Sequence, residues 1–188
     1  MRETLDVDIL IVGGGPAGMW AALRLAQLQQ DKGGEPLAIA VLEKAREAGA
    51  HMLSGAVLDP STLKALIPDF EAKGAPLAAA VERDDVYFLT RTAKLRFPIT
   101  PPPMNNHGNY IISLNKFVKW LGAQVEETGI DIFSGFAASE VLYEGSKVIG
   151  VRTGDRGVGR HGEKKGTFEP GVDIKGKVTI FCVGVGGN

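Results

Sequence analysis

The amino-acid sequence predicts an α/β fold, in which helices flank a mainly parallel sheet that also carries an antiparallel hairpin. Three observations lead to this prediction. The apolar run Val7–Val12 ends in glycines and is followed by a stretch of good helix formers, Ala17–Gln30. A second apolar run, Leu37–Leu42, comes after that helix, and the three elements form one right-handed βαβ unit. Much later, two strand-like runs flank the sequence Glu-Gly-Ser at residues 144–146, which is typical of a β-hairpin.

The segment after the βαβ unit is predicted to be irregular, with only short elements. Ser61–Ile67 is expected to form a short helix capped by Ser or Thr. Val86–Leu89 and Lys94–Phe97 are expected to be short strands, and Pro101–Pro103 to be rigid, extended chain. Residues 46–110 are therefore predicted to be an irregular insertion into the α/β framework.

An amphipathic helix is predicted at Leu114–Thr128. Its apolar residues recur at helical spacing, namely Leu114, Phe117, Val118, Leu121 and Val125. Gly129 is expected to end this helix, and Ile130–Phe133 to form the next strand. The pattern indicates that one face of the helix packs against the sheet.

The last part of the chain carries the predicted hairpin and one further strand. The hairpin strands are Ala137–Tyr143 and Lys147–Thr153. The glycine-rich, charged stretch Gly154–Gly171 is predicted to be an exposed loop. Lys177–Val183 is apolar and is predicted to be the final strand of the sheet.

Composition excludes several classes of protein. The 188 residues include 21 basic and 22 acidic side chains, and a net charge of −1 argues against a nucleic-acid partner. Cys182 is the single cysteine, so the chain has no internal disulfide and cannot ligate an iron–sulfur cluster; no metal site is predicted. No apolar run is long enough to span a bilayer, and Glu3 and Asp6 interrupt any signal peptide. The expected location is the cytosol or the inner face of a membrane.

The glycines after the first strand match the pattern G-x-G-x-x-G, which is typical of dinucleotide-binding turns. Gly13 permits the tight turn, Gly15 lets a pyrophosphate approach the backbone, and Gly18 lets the helix pack closely on the strand. The helix N-terminus then presents amide groups and a positive dipole end to the phosphates. A turn that only packs a helix on a sheet is the alternative, and the βαβ context favours nucleotide binding.

Glu43 ends the second strand, where a carboxylate can accept hydrogen bonds from ribose hydroxyls. Its negative charge disfavours a 2′-phosphate and therefore disfavours NADP. The turn recognises only the ADP half of a dinucleotide, so these residues alone leave FAD and NAD open.

Further segments resemble one protein family. They are GAHMLSGA at residues 49–56, LDP at 58–60, PMNNHGNYI at 103–111, and FAA with EVL at 136–138 and 140–142. The chain resembles the N-terminal part of electron-transfer flavoprotein–ubiquinone oxidoreductase of the bacterial type, from about Asp6 to Phe181. The first and third segments are specific to that family, whereas the glycine turn is shared with many flavoproteins.

The resemblance implies that residues 1–188 form a Rossmann-like FAD-binding domain of the glutathione-reductase and p-hydroxybenzoate-hydroxylase type, incomplete in this chain. It implies that the pyrophosphate lies against Gly13, Gly15, Pro16, Ala17 and Gly18. Glu43, with Lys44 beside it, would hold the adenosine ribose, and Ala138 would lie against the adenine. Catalytic side chains are not assigned. His51 and His107 are expected to position the loop near the flavin, with a proton-relay role as the alternative.

The resemblance also implies an activity, partners and a location. In the family, FAD takes electrons from reduced electron-transfer flavoprotein, a [4Fe–4S] cluster takes part, and ubiquinone in the membrane is reduced. The intact protein is then expected to be a peripheral enzyme on the cytoplasmic face of the bacterial inner membrane, or on the mitochondrial inner membrane in eukaryotic relatives, with membrane and quinone contacts in residues 46–110. The Ala48–Asp69 region corresponds to the part that dips into one leaflet. The isolated chain is expected to be inactive, because half a flavin site cannot shield or position the isoalloxazine, and because the rest of the family's sequence supplies most of the quinone site and the cluster cysteines. Two alternatives remain open: a geranylgeranyl-reductase-like flavoprotein and an inactive nucleotide-binding fragment.

Overall fold

The computed structural model describes residues 2–53, 55–159 and 162–184. Its elements, in chain order, are β1 (Thr4–Val12), α1 (Pro16–Lys32), β2 (Ile39–Glu43), β3 (Ala56–Leu58), α2 (Ser61–Leu66), β4 (Leu77–Ala80), β5 (Tyr87–Leu89), β6 (Lys94–Arg96), a 3₁₀ turn (Pro102–Met104), β7 (Tyr110–Ile112), α3 (Leu114–Glu126), β8 (Asp131–Ser134), β9 (Ala138–Glu144), β10 (Lys147–Thr153), β11 (Arg156–Val158), β12 (Lys164–Glu169) and β13 (Asp173–Phe181). The chain divides into two compact units. We call residues 1–51 with 118–188 the sheet unit, and residues 52–117 the insertion unit.

The sheet unit is built on six strands in the order β8-β2-β1-β13-β10-β9. The first four strands are mutually parallel, with Ile11 opposite both Val41 of β2 and Ile180 of β13. The predicted hairpin, β9 and β10, joins this sheet through the antiparallel pairing of β10 with β13. The predicted α/β fold, its βαβ unit and its antiparallel hairpin are confirmed.

The core of the sheet unit lies on both faces of the parallel strands, because successive strand residues point to opposite faces and both sets are buried. Leu10, Ile11, Val41 and Leu42 are less than 2% exposed. In α3, four of the five residues of the predicted apolar pattern are buried, namely Phe117, Val118, Leu121 and Val125, and the fifth, Leu114, is half-buried. Each such side chain contributes about 1.5–3 kcal/mol by leaving water, so the amphipathic pattern explains why this helix forms. The helix ends at Glu126 and Gly129 follows with φ +83°, as the sequence predicts.

The insertion unit contains two small antiparallel sheets and a short helix. Strand β7 pairs with both β3 and β4, and β5 pairs with β6. Leu63, Ile67 and Phe70 are buried inside the unit, where the Phe70 ring meets Tyr110 edge to face at 6.5 Å. The short helix and the strands β5 and β6 match the predicted elements within one residue at each end, whereas β3, β4 and β7 were not predicted. The predicted Ser or Thr cap of the helix is wrong, because its N-cap residue is Pro60 and no side chain caps it.

Two sequence predictions about backbone conformation are wrong. The segment Pro101–Pro103 was expected to be extended, but residues 102–104 form a 3₁₀ turn, in which the Met104 amide donates to the Pro101 carbonyl at 2.8 Å. Proline lacks an amide but keeps its carbonyl, so following residues can close the turn. The stretch Gly154–Gly171 was expected to be a loop, but apart from residues 160 and 161, which lie outside the described residues, it carries the hairpin of β11 and β12. Backbone pairing, not burial, defines that hairpin, since most of β12 is exposed.

Candidate nucleotide-binding site

The glycine turn follows β1 at the carboxyl end of the parallel strands. The Gly13 amide donates to the Leu42 carbonyl at 2.9 Å, and Gly13 adopts φ +111°, a conformation that favours glycine. A Cβ atom on Gly13 would overlap the backbone oxygen of Cys182, and one on Gly18 would overlap the backbone oxygen of Gly13. Both glycines are therefore required by close approach of the backbone, as predicted for a tight turn that packs a helix on a strand.

The backbone amides at the N-terminus of α1 are not capped by any side chain. Gly15 is the N-cap residue, so no side chain caps the helix, and the first turn contains no acidic residue. Pro16 occupies the first helical position, where an amide is not needed. The first intrahelical donor is the Met19 amide, which reaches the Gly15 carbonyl at 3.0 Å. The amides of Ala17 and Gly18 therefore point out of the helix end, an arrangement that binds phosphate.

Glu43 lies beside this turn with its carboxylate held in one orientation. Its side chain is 6% exposed. Oε2 accepts a hydrogen bond from the Gly14 amide at 3.0 Å, and Oε1 accepts one from the Ala45 amide at 2.7 Å. Each oxygen keeps a further lone pair, so the group can accept hydrogen bonds from two vicinal hydroxyls. A buried carboxylate with this preorganisation fits a ribose and would repel a phosphate on it.

A second wall of the site comes from the turn between β8 and β9. The Gly135 amide donates to the Ala45 carbonyl at 2.7 Å, and the Phe136 amide donates to the Glu43 carbonyl at 3.0 Å. Sequence reasoning missed Ala45, Gly135 and Phe136, because their part depends on contacts between segments that are far apart in the chain. The signals in the sequence were that these residues flank the ends of β2 and β8 and that Phe136 begins the FAA segment of the family resemblance.

The other expected ligand residues lie at the same end of the sheet. Lys44 is exposed directly after Glu43. Ala138 begins β9, opposite Thr153, and its side chain packs against the core cluster that includes Leu10 and Val151. The part of Ala138 that can face a ligand is therefore its backbone. The structure thus brings the glycine turn, Glu43, Lys44 and the start of β9 together at one edge.

The two histidines singled out in the sequence lie in different units. His51 is exposed in a turn at the end of the first segment of the sheet unit. In the insertion unit, Nδ1 of His107 is 3.0 Å from the Glu82 backbone oxygen. A carbonyl only accepts, so Nδ1 carries the proton and Nε2 is the acceptor in the neutral ring. Neither position defines a catalytic role.

The part of the chain that the structure describes holds neither a metal-ligand cluster nor a membrane-spanning helix. Within those residues, no group of three or more His, Cys, Asp or Glu side chains could hold a metal ion. Cys182 is half-buried, and burial raises the pKa of its thiol. Among the described helices, none has the length and apolar character needed to cross a bilayer.

Comparison with curated proteins bears out the sequence resemblance. The full chain is 46% identical to the mitochondrial electron transfer flavoprotein-ubiquinone oxidoreductase of Arabidopsis thaliana, 45% identical to that of Homo sapiens, and 42% identical to a probable electron transfer flavoprotein-ubiquinone oxidoreductase of Acinetobacter baylyi. The chain covers 29%, 30% and 34% of the lengths of these three relatives. No family model matches the chain.

Comparison with solved structures bears out the fold. A geranylgeranyl bacteriochlorophyll reductase-like protein from Thermoplasma acidophilum aligns over 95% of this chain and 39% of its own, with a TM-score of 0.61 and 22% identity. The flavin-dependent monooxygenase PieE, solved with FAD and substrate, aligns over 93% of this chain and 30% of its own, with a TM-score of 0.62 and 17% identity. The chain therefore has the α/β fold of FAD-dependent oxidoreductases, and along its whole length it resembles about one third of an electron transfer flavoprotein–ubiquinone oxidoreductase.

Proposed function

We propose that this chain binds FAD through the ADP half of the cofactor, as part of an enzyme that passes electrons from reduced electron-transfer flavoprotein to ubiquinone. The observation that carries the proposal is the paired arrangement of the uncapped α1 N-terminus and the oriented Glu43 carboxylate. The FAD complex of PieE, which shares the fold, supports the choice of FAD over NAD, and the 42–46% identity to the quinone oxidoreductases supplies the partners.

Each residue of the site has a separate task in holding the cofactor. The amides of Ala17 and Gly18 at the helix end bind the pyrophosphate, and Gly13 and Gly15 let it approach the backbone. Glu43 accepts hydrogen bonds from the ribose hydroxyls. Bound FAD supplies the capacity to accept and release electrons. The role of the chain is to bind and orient the adenosine diphosphate end.

The insertion unit supplies a surface suited to the membrane. Ten of its large apolar side chains are exposed: Leu53, Val57, Tyr87, Phe88, Leu89, Leu95, Phe97, Ile99, Met104 and Ile111. Several belong to the β5–β6 hairpin, where Phe88 lies opposite Leu95. By contrast, Leu63, Ile67 and Phe70 are buried and therefore unavailable for insertion. We propose that the hairpin, rather than α2, contacts one leaflet of the membrane that holds the quinone. That membrane would be the bacterial inner membrane at its cytoplasmic face, or the mitochondrial inner membrane in the relatives.

An iron–sulfur cluster does not fit the residues of this chain. A [4Fe–4S] cluster takes four thiolates, and Cys182 is the single cysteine. No step of the proposed function is therefore assigned to a cluster here. The reductase-like neighbour from Thermoplasma acidophilum shares the fold at 22% identity and offers no separate support for a geranylgeranyl-reductase activity.

The proposal is tested on the protein made from its complete reading frame. We expect bound FAD at one per chain after desalting, and reduction of a ubiquinone analogue that depends on reduced electron-transfer flavoprotein. Absence of FAD from well-folded protein would overturn the proposed cofactor. Bound FAD without quinone reduction would overturn the proposed activity and leave the geranylgeranyl-reductase-like and inactive-fragment alternatives, which an assay for reduction of a prenyl double bond separates.

A further inference from the structure

The turn between β8 and β9 is held by a guanidinium from the β11–β12 hairpin. Nη2 of Arg156 donates to the Gly135 carbonyl at 2.8 Å. The guanidinium carbon of Arg156 also lies 4.0 Å from the centre of the Phe136 ring, and that ring meets Phe133 edge to face at 6.2 Å. Arg156 therefore contacts two consecutive residues of the turn, Gly135 through a hydrogen bond and Phe136 through stacking on its ring.

A second contact joins the same two segments. The Gly154 amide donates to the Ala137 carbonyl at 2.9 Å. On its other side, the turn is bound to the strand end that carries Glu43, through the Gly135 and Phe136 amides. The turn is thus fixed between Arg156 and the ribose-binding segment.

The charge of Arg156 is only weakly neutralised. Its partner across the hairpin is Glu169, whose carboxylate lies 4.0 Å away, at the outer limit of an ion pair. The side chains of Arg156 and Glu169 are 44% and 71% exposed, so solvent screens this contact. A positive group that is stacked, oriented and incompletely paired differs from a freely solvated surface arginine.

We propose that Arg156 is a positioning residue for the adenosine half of the nucleotide, acting through the Gly135–Phe136 turn. This inference rests on the proposed function, since it requires an adenosine-containing ligand beside Glu43. Loss of the guanidinium releases the Gly135 carbonyl and the Phe136 ring, and the wall next to the start of β9 loses its fixed shape. The arrangement was not predicted, because Arg156 falls in the stretch that the sequence assigns to an exposed loop.

The test compares Arg156→Met, Arg156→Lys and Lys164→Met in the protein from the complete reading frame, stripped of flavin. Lys164→Met is the matched control, because it removes a second cation–ring contact in the same hairpin, Lys164 over Phe168 at 4.0 Å. Dissociation constants for FAD and ADP are measured by calorimetry, and unfolding midpoints by circular dichroism.

We expect Arg156→Met to raise the dissociation constants for FAD and ADP by a similar factor of about tenfold, which is the scale of one hydrogen bond to a charged group. The affinities of Arg156→Lys for FAD and ADP should lie between those of Arg156→Met and wild type, and Lys164→Met should leave both affinities unchanged. If Arg156→Met and Lys164→Met bind FAD and ADP equally well and lower the unfolding midpoint by similar amounts, then Arg156 contributes only to stability. That result would overturn this inference and leave the proposed function standing. A folded wild-type protein that binds neither FAD nor ADP would overturn the proposed function as well.

Discussion

The backbone amide of Gly14 donates a 3.0 Å hydrogen bond to Oε2 of Glu43, which ties the turn after β1 to the last residue of β2. The second carboxylate oxygen is occupied by the Ala45 amide. A Cβ atom on Gly14 would lie 2.8 Å from that same Oε2 and 2.9 Å from Cβ of Glu43, so a side chain at this position would disturb the contact. The phosphate-binding turn and the ribose-binding carboxylate therefore hold each other in place.

The substitution Glu43→Gln should weaken both the fold and the cofactor site. A glutamine offers one oxygen and one amino group, so it cannot accept from the Gly14 and Ala45 amides together. We expect a loss of about 1–3 kcal/mol in the free energy of unfolding and about tenfold weaker FAD binding. Urea denaturation and flavin fluorescence measure the two effects. Glu126→Gln, at the exposed end of α3, is the control, and the same small effect from both substitutions would contradict the prediction.

Gly18→Ala should destabilise the protein although alanine is the better helix former. The new methyl group would overlap the Gly13 carbonyl oxygen and approach Cγ2 of Ile11 to 3.3 Å. Helix propensity returns about 1 kcal/mol, whereas forcing a methyl against the backbone costs about 1–3 kcal/mol, so the steric term should dominate. Thermal unfolding tests this against Gly166→Ala, where a Cβ atom meets nothing within 4 Å. A higher midpoint for Gly18→Ala would show that the turn can relax.

The ion pair between Arg152 and Asp173 should make stability depend on pH in acid. Two hydrogen bonds of 2.6 and 2.9 Å from the guanidinium lower the pKa of the Asp173 carboxyl below its usual value of 3.8. A lowered pKa means that the contribution is complete above about pH 4 and is lost as the pH falls through the folded-state pKa. Urea midpoints of wild type and Asp173→Asn should differ by a constant amount at pH 5–7 and converge below pH 3.8. A difference that is unchanged down to the lowest pH would refute this account.

Removing apolar side chains from the hairpin should reduce membrane binding and leave the fold intact. Leu89 and Leu95 are 70% and 62% exposed, so replacing both by serine should change the free energy of unfolding by less than about 0.5 kcal/mol each. Vesicle binding should fall about tenfold or more, since each leucine contributes about 1.5–3 kcal/mol on leaving water. Co-sedimentation with liposomes measures this effect. Val178→Ser is the control, because Val178 is 53% exposed in the sheet unit; an equal loss in the control would argue against the hairpin.

The sequence was informative where one local pattern determines both structure and chemistry. The glycines 13, 15 and 18 and the carboxylate of Glu43 follow apolar strands, and the helices α1 and α3 have clear propensity or periodicity. The strands β3 and β7 pair with each other across a long stretch of chain, so no local hairpin pattern marks them, whereas the equally short β5 and β6 are neighbours in sequence. The hairpin of β11 and β12 was missed because its residues are mostly exposed and backbone pairing carries it. The part played by Ala45, Gly135 and Arg156 depends on contacts between distant segments, which no local pattern encodes.

The pairing of β1 with β13 has a consequence for the order of events during synthesis. The Gly13 turn is closed against the Cys182 carbonyl, and Val12 lies beside Phe181. The turn leaves the ribosome well before its supporting strand, which emerges only after the insertion unit has been made. Until then β1 can pair only with β2, and its other edge stays unpaired. Strand pairing between segments so far apart in the sequence forms slowly. Nucleotide capture on the nascent chain should begin only once residue 182 has emerged, so the cofactor can stabilise this domain only after nearly all of the present sequence has been translated.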